Sequence, residues 1–220
     1  MPRTRHGFGA TMAACAALLL AFGALAWSST DGLERWTHES LRRAAAREGR
    51  LQAAPVPLLR ADGTVAEAFA GPPLTGPRIV LVDFIYTRCP SVCQALGAGF
   101  FQAQERLRRE GRDDIALLSV SFDTAHDDVA SLQAYARLHR ADPAWWTIAV
   151  PAADEAARRL LRQLGIVVIP DGFGGYTHNA AIHLIDAQGR VRAIHALDDW
   201  PAAVAQAIRL ADGEQSEVRR

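Results

Sequence analysis

Val82–Leu96 reads VDFIYTRCPSVCQAL, and the fold turns on what this stretch becomes. The apolar run Ile79 to Tyr86 is β-branched and aromatic, too short for a helix, and preceded by the breaker-rich GPPLTGP, which predicts a buried strand. That strand runs into a loop carrying Cys89. Pro90 follows, and at a first helical position its fixed φ suits the helix while its missing N–H leaves no intrahelical bond unmade. Cys89 is therefore expected at a helix N-terminus. Cys93, four residues on, falls on the same face, within reach of the first sulfur and of a single bound ion. Exposed amide hydrogens and the positive end of the helix dipole are expected to favour thiolate there, drawing a cysteine pKa down from about 8.5 toward neutrality. Cysteines also serve as small buried hydrophobes or plain structural disulfides. A strand–loop–helix turn is where open α/β sheets place ligands, which favours a working dithiol or metal site.

The 220 residues suffice for one ordinary domain with attachments. Lys plus Arg and Asp plus Glu both count 24, a balance that gives no electrostatic case for nucleic acid. The three cysteines, Cys15, Cys89 and Cys93, are too few for a disulfide scaffold. Residues 1–9 carry Arg3, Arg5 and His6 and no acid, and Ala10 to Trp27 is unbroken apolar or small. About 18 apolar residues is long for a signal core and enough to span a bilayer, so the segment reads as a transmembrane signal anchor rather than a leader cleaved near Ala26. The positive-inside rule then keeps residues 1–9 cytoplasmic and puts the rest outside, on the periplasmic face of an inner membrane. Cys15 reads as an inert membrane-embedded residue.

Residues 28–54 read as a stalk helix and linker, capped by Thr30 or Asp31, with acids leading and arginines trailing. From Pro55 to Ala211 strands and helices alternate. PVPLLRADGTV predicts a hairpin about Asp62-Gly63. The key strand comes next, then its helix, ending near Gly111. A strand follows at Ile115 to Phe122, a helix at Asp127 to His139, a strand at Trp145 to Val150, a helix at Asp154 to Leu164 and a short extended piece at Ile166 to Ile169. The glycine-rich PDGFGGY, Pro170 to Tyr176, delivers Thr177-His178. His178 to Ile185 and Val191 to His195 bracket the turn Asp186-Ala187-Gln188-Gly189, a helix runs from Trp200 to Ala211, and residues 212–220 read as a flexible tail. The alternation implies an α/β fold, a central mixed sheet flanked by helices.

A dithiol on the first strand–helix turn with a late hairpin before a terminal helix is similar to a thioredoxin-like fold with an N-terminal strand extension. More specifically, the chain resembles the Sco (SenC) family of membrane-anchored, thioredoxin-like copper proteins. The resemblance rests on DFIYTRCPSVCQALG, on LLSVSFDTAHDDVASLQAYA and on YTHNAAIHLIDAQG. It implies that Cys89, Cys93 and His178 hold copper, Cu(I) or Cu(II), and that the protein is a metallochaperone delivering copper to the binuclear centre of a respiratory cytochrome c oxidase. Implied partners are the oxidase's copper-bearing subunit and an upstream copper donor or thiol reductant. Two thiolates and one imidazole suit Cu(I) in a trigonal site, whereas structural zinc normally takes four ligands, which here would require another histidine such as His183. The chain departs from the family pattern at Ser91, Gln94 and Thr177, where many members have Asp, Pro and Asp.

On spacing alone a lone histidine near a strand is more often packed or on the surface than a ligand. His126, His139, His183 and His195 all read as structural, His126 and His139 as exposed. Three further readings share the fold class. The first is a thiol-disulfide oxidoreductase using Cys89 and Cys93 to reduce the oxidase's copper-ligand cysteines. The others, a thiol peroxidase and a redox sensor, have less in the sequence to support them.

Overall fold

The computed structural model describes residues 6–30, 32–33, 36–70, 78–89 and 92–218. The breaker run before the key strand, Pro90, Ser91 and the Asp31 cap lie outside these residues. The chain divides into two units, 1–44 and 45–220. The first contains α1 (His6–Ser29), whose Phe8–Ser29 portion is long and apolar enough to cross a bilayer. It ends where Thr30 Oγ1 and the Thr30 amide both donate to the Ala26 carbonyl. The stalk helix begins later than the sequence suggests. α2 spans only His38–Arg47, because Thr37 and Ser40 cap it reciprocally: each side-chain oxygen accepts the other's backbone N–H.

The second unit is built on a seven-stranded mixed sheet. Its strands are β1 (Val56–Arg60), β2 (Val65–Ala68), β3 (Ile79–Ile85), β4 (Ile115–Ser121), β5 (Trp146–Pro151), β8 (Ala181–Asp186) and β9 (Val191–Ala196), in the order β2-β1-β5-β4-β3-β8-β9. β3, β4 and β5 are parallel, and β8 closes on β3 antiparallel. A separate two-stranded hairpin, β6 (Val168–Pro170) with β7 (Tyr176–His178), is formed by the glycine-rich segment. His178 thus ends its own short strand instead of starting β8, since Asn179 and Ala180 break the run. β3 is central and buried on both faces, which is why its sequence is continuous rather than alternating.

Right-handed crossovers carry α3 (Val92–Arg109) from β3 to β4 and α4 (Val129–His139) from β4 to β5, so both helices lie on one face of the sheet. Gly97 lets them touch. A Cβ there would come within 2.4 Å of the His139 ring. His139 is accordingly buried against Tyr135 and Trp146, correcting the expectation of an exposed helix residue. α6 (Trp200–Val218) packs beside α3, with Trp200 against Gly99, and is helical to Val218 where a loose tail was expected. α5 (Asp154–Gln163) packs on β5 and β1.

Candidate metal centre

β3 delivers the chain to Tyr86, and the turn from there to Cys89 closes with the Cys89 amide donating to the Tyr86 carbonyl at 3.1 Å. The loop after β4, at the same end of the parallel sheet, grips this turn. Asp127 accepts from the Thr87 amide at 2.9 Å, from Thr87 Oγ1 at 2.6 Å and from Ser121 Oγ at 2.5 Å. Asp123, also buried, accepts from Arg88 at 2.8 Å, contacts His126 Nδ1 at 2.7 Å and accepts from Tyr176 at 3.4 Å. Burial alone would raise the Asp123 pKa, but Arg88 and His126 hold it below the usual carboxylate range. The acidic loop thus fixes the residues before Cys89. His126, half exposed as expected, belongs to this network.

Cys89 and Cys93 are brought together as the spacing requires, with the Cys93 amide pointing at Cys89 Sγ at 3.4 Å. Both sulfurs are buried and unbridged. The expected thiolate bias does not hold for Cys93. Burial pushes its thiol well up, and the neighbouring Cys89 and the charge on Asp83 add to the shift, overcoming the Tyr86 backbone amide that favours the charged form. Gln94, one of the departures from the family pattern, donates to the Cys89 carbonyl at 3.4 Å, and Tyr135 donates its hydroxyl to the Cys93 carbonyl at 3.0 Å.

Asp83 lies beneath this pair and has no counterpart in the sequence reading. It is fully buried and raised to about 7 by burial. Ser119, its register partner on β4, eases the charge while accepting from Trp146 Nε1 at 2.9 Å. Neither Asp83 oxygen has a hydrogen-bond partner of good geometry among the described residues.

His178 arrives from the hairpin. Gly175 permits the approach, because a Cβ there would lie 3.0 Å from the Tyr86 hydroxyl and 2.5 Å from Asp171 Oδ2. The Tyr86 hydroxyl accepts the Tyr176 amide at 3.3 Å and also faces Cys89, linking hairpin and dithiol. The His178 ring packs on Phe122 at 5.1 Å, and its Nε2 sits 3.0 Å from the Phe84 carbonyl. A carbonyl only accepts, so Nε2 is assigned the proton and Nδ1 carries the lone pair, the arrangement by which proteins orient a ligating imidazole. Burial lowers the His178 pKa and keeps the ring neutral, the form that binds metal. The three donors are not yet one cluster: no group of three potential ligands converges among the described residues. The structure therefore brings the two cysteines together after β3 and holds His178 on the Phe84 carbonyl of that strand, without joining it to the pair.

His183 is buried in β8 with Nδ1 3.2 Å from the Val82 carbonyl and its ring against Phe84, and His195 contacts Gln206 at 2.8 Å. Both are structural, as read from the sequence.

A family model described as SCO1/SenC matches residues 74–211. The chain belongs to that family. By sequence, no curated protein matches it. Among solved structures, this SCO1/SenC chain is similar to a SCO1/SenC family lipoprotein from Bacillus anthracis, with TM-score 0.64 and 20% identity over 73% of this chain and 95% of that one. It is similar to Arabidopsis thaliana ScoI with copper bound, with TM-score 0.60 and 17% identity over 72% and 98%. It is also similar to BsSco, a member of the Sco family of cytochrome c oxidase assembly proteins in which a disulfide switch is identified, with TM-score 0.62 and 17% identity over 74% and 94%. At these identities the likeness is one of fold, and the fold is the thioredoxin-like Sco fold.

Proposed function

We propose that this SCO1/SenC protein is a membrane-tethered copper metallochaperone. It holds one copper ion as cargo on Cys89, Cys93 and His178 and delivers it to the binuclear copper centre of a respiratory cytochrome c oxidase. The observation that carries the reading is the joint state of the donors. Two cysteines stand in contact at the end of β3, and a neutral imidazole is oriented through its Nε2 on Phe84, leaving Nδ1 to donate. Soft thiolates and an imidazole in low number suit Cu(I), and a further ligand would accommodate Cu(II). Binding displaces the thiol protons to solvent, so Cys93, whose burial favours the thiol, ionises as the metal takes the proton's place on sulfur. The apolar α1, preceded by Arg3 and Arg5, supports a single-pass anchor with the domain on the periplasmic side.

The experiment is copper titration of the reduced full chain in neutral detergent, beside His178→Ala. The expected result is about one copper per chain with a thiolate-to-copper absorption band, and loss of most affinity in the variant. Unchanged affinity in His178→Ala refutes the three-donor site.

The contact between Cys93 N–H and Cys89 Sγ also favours a second reading, a thiol-disulfide oxidoreductase acting on the oxidase's copper-ligand cysteines. In that reaction Cys89 and Cys93 close to a disulfide, giving two electrons and two protons to the partner's disulfide, which opens to two thiols. Cysteine-dependent turnover that survives His178→Ala marks this role; absence of exchange with copper binding intact removes it.

A further inference from the structure

The five tryptophans of the chain fall into two groups. Trp145, Trp146 and Trp200 belong to the domain, where Trp146 is 1% exposed and the other two pack against the core. Trp27 and Trp36 lie at the end of α1 and just after it, and they are 63% and 65% exposed. Trp146 donates its Nε1–H to Ser119, whereas neither Trp27 nor Trp36 donates its own to another described residue. Leu33, between them, is a third large apolar side chain left outside, 52% exposed. A lone apolar residue on a surface is ordinary; three within the ten residues 27–36 need a reason.

The backbone after α1 is ordered around these side chains. The Gly32 amide donates to the Trp27 carbonyl at 2.9 Å and the Leu33 amide to Thr30 Oγ1 at 3.0 Å, closing the helix with a tight turn. Gly32 takes φ +70° and lies against the Trp27 ring, where an added Cβ would come 3.4 Å from Cζ2. Leu33 takes φ +69°, a region that bulky residues rarely adopt, yet about half of its surface stays outside the protein. The length of α1 decides what that surface meets. Its apolar portion, Phe8–Ser29, has 22 residues. At about 1.5 Å each that is about 33 Å, against a hydrocarbon core of about 30 Å. Trp27 then falls where hydrocarbon gives way to headgroups, and Leu33 and Trp36 follow in sequence. Indole suits that layer, having an apolar body and one N–H for a lipid carbonyl or phosphate. Asp31, Glu34 and Arg35 interrupt the apolar residues, and a sequence so interrupted stays among headgroups rather than entering hydrocarbon.

We propose that Trp27, Leu33 and Trp36 bind the headgroup layer of the bilayer that α1 crosses, so that the chain leaves the membrane surface at Thr37 rather than at Ser28. The proposal rests on the membrane-anchor reading of α1 and is independent of copper.

The test reconstitutes the full chain into phosphatidylcholine vesicles, either plain or brominated on the acyl chains next to the headgroup. Tryptophan emission is compared for the parent, Trp27→Phe, Trp36→Phe and the double variant. Bromine quenches only the indoles it can reach. Part of the parent emission should be quenched; Trp36→Phe should lose about half of that quenching and the double variant all of it, because the three domain indoles are held in the protein. Trp36 is exposed, so phenylalanine there disturbs no packing, and circular dichroism checks the fold of each variant. Flotation of the vesicles after an alkaline wash reports α1 separately. A chain that floats while Trp36→Phe keeps the full quenching of the parent overturns the proposal and leaves the anchor standing. Quenching that persists undiminished in the double variant arises in the domain and overturns it equally. A chain that does not float removes anchor and proposal together.

Discussion

The cysteine turn is held from several directions, whereas the hairpin that brings His178 is joined to the body by longer and fewer bonds. Around Cys89 and Cys93, Asp127 accepts three hydrogen bonds of 2.5–2.9 Å, Asp123 anchors Arg88 and Tyr135 ties down the start of α3. The hairpin stands outside the seven-stranded sheet and meets the Phe84 carbonyl at 3.0 Å, Tyr86 at 3.3 Å and Asp123 at 3.4 Å. Segments with few buried contacts open at lower cost than core strands. On the three-donor site proposed above, the difference assigns separate tasks: the rigid half presets the sulfur pair, and the hairpin half would bring the nitrogen of His178 to it.

Substitutions can break or sharpen this division. The largest effect is expected from the preset half. Cys93→Ser should lower Cu(I) affinity roughly a hundredfold or more, above what loss of a supporting residue costs, as read by competition with a Cu(I) chelator. Next is Asp83. Its folded pKa of about 7 lies above the ordinary 3.8, so the buried acid is tolerated when protonated and stability falls as pH rises from about 4 to 7. At about 1.4 kcal/mol per pH unit the full penalty is of the order of 4 kcal/mol. Asp83→Asn should therefore gain most stability at pH 8 and little at pH 4 in a urea-unfolding series; a variant that gains nothing at pH 8 would show that the carboxylate is satisfied in solution.

Asp127→Ala should cost roughly 2–3 kcal/mol of stability, since three donors lose one acceptor, and about tenfold or more in copper affinity through the loosened turn. Equal affinity in the variant would mean that the clamp holds the fold without holding the site. The smallest effect belongs to the hairpin. Gly175→Ala should push it off Tyr86 and weaken copper binding about tenfold, an estimate in the range for residues that orient a ligand, while leaving the dithiol reduction potential where it was. A shift in that potential in Gly175→Ala would erase the distinction between the halves.

Much of this was legible because it is local. The β-branched run before Cys89 and the four-residue cysteine spacing need only neighbours in sequence to be read, and they became β3 and a sulfur pair in contact. The loop SFDTAHDD contributed to the family likeness, but its three-bond grip on Thr87 depends on β3 and β4 being parallel and ending together, which no local pattern states. Asp83 did carry a signal, an acid inside an otherwise apolar strand. That it is fully buried, with no well-formed hydrogen bond among the described residues, depends on tertiary packing that the strand pattern does not state. His139 was misread as exposed because the gap it fills is opened by Gly97, on another helix. The thiolate expected from the helix dipole failed at Cys93 because burial outweighs a terminal dipole worth about 1 kcal/mol.

The most direct test of the two-part site is copper K-edge X-ray absorption on the reduced chain loaded with one Cu(I), for the parent and His178→Ala. The expected result is a shell of two sulfurs and one nitrogen in the parent and the two sulfurs without that nitrogen in the variant. The same first shell in both, or a shell of sulfur alone in the parent, would contradict the assignment of His178 as the donor that completes the site.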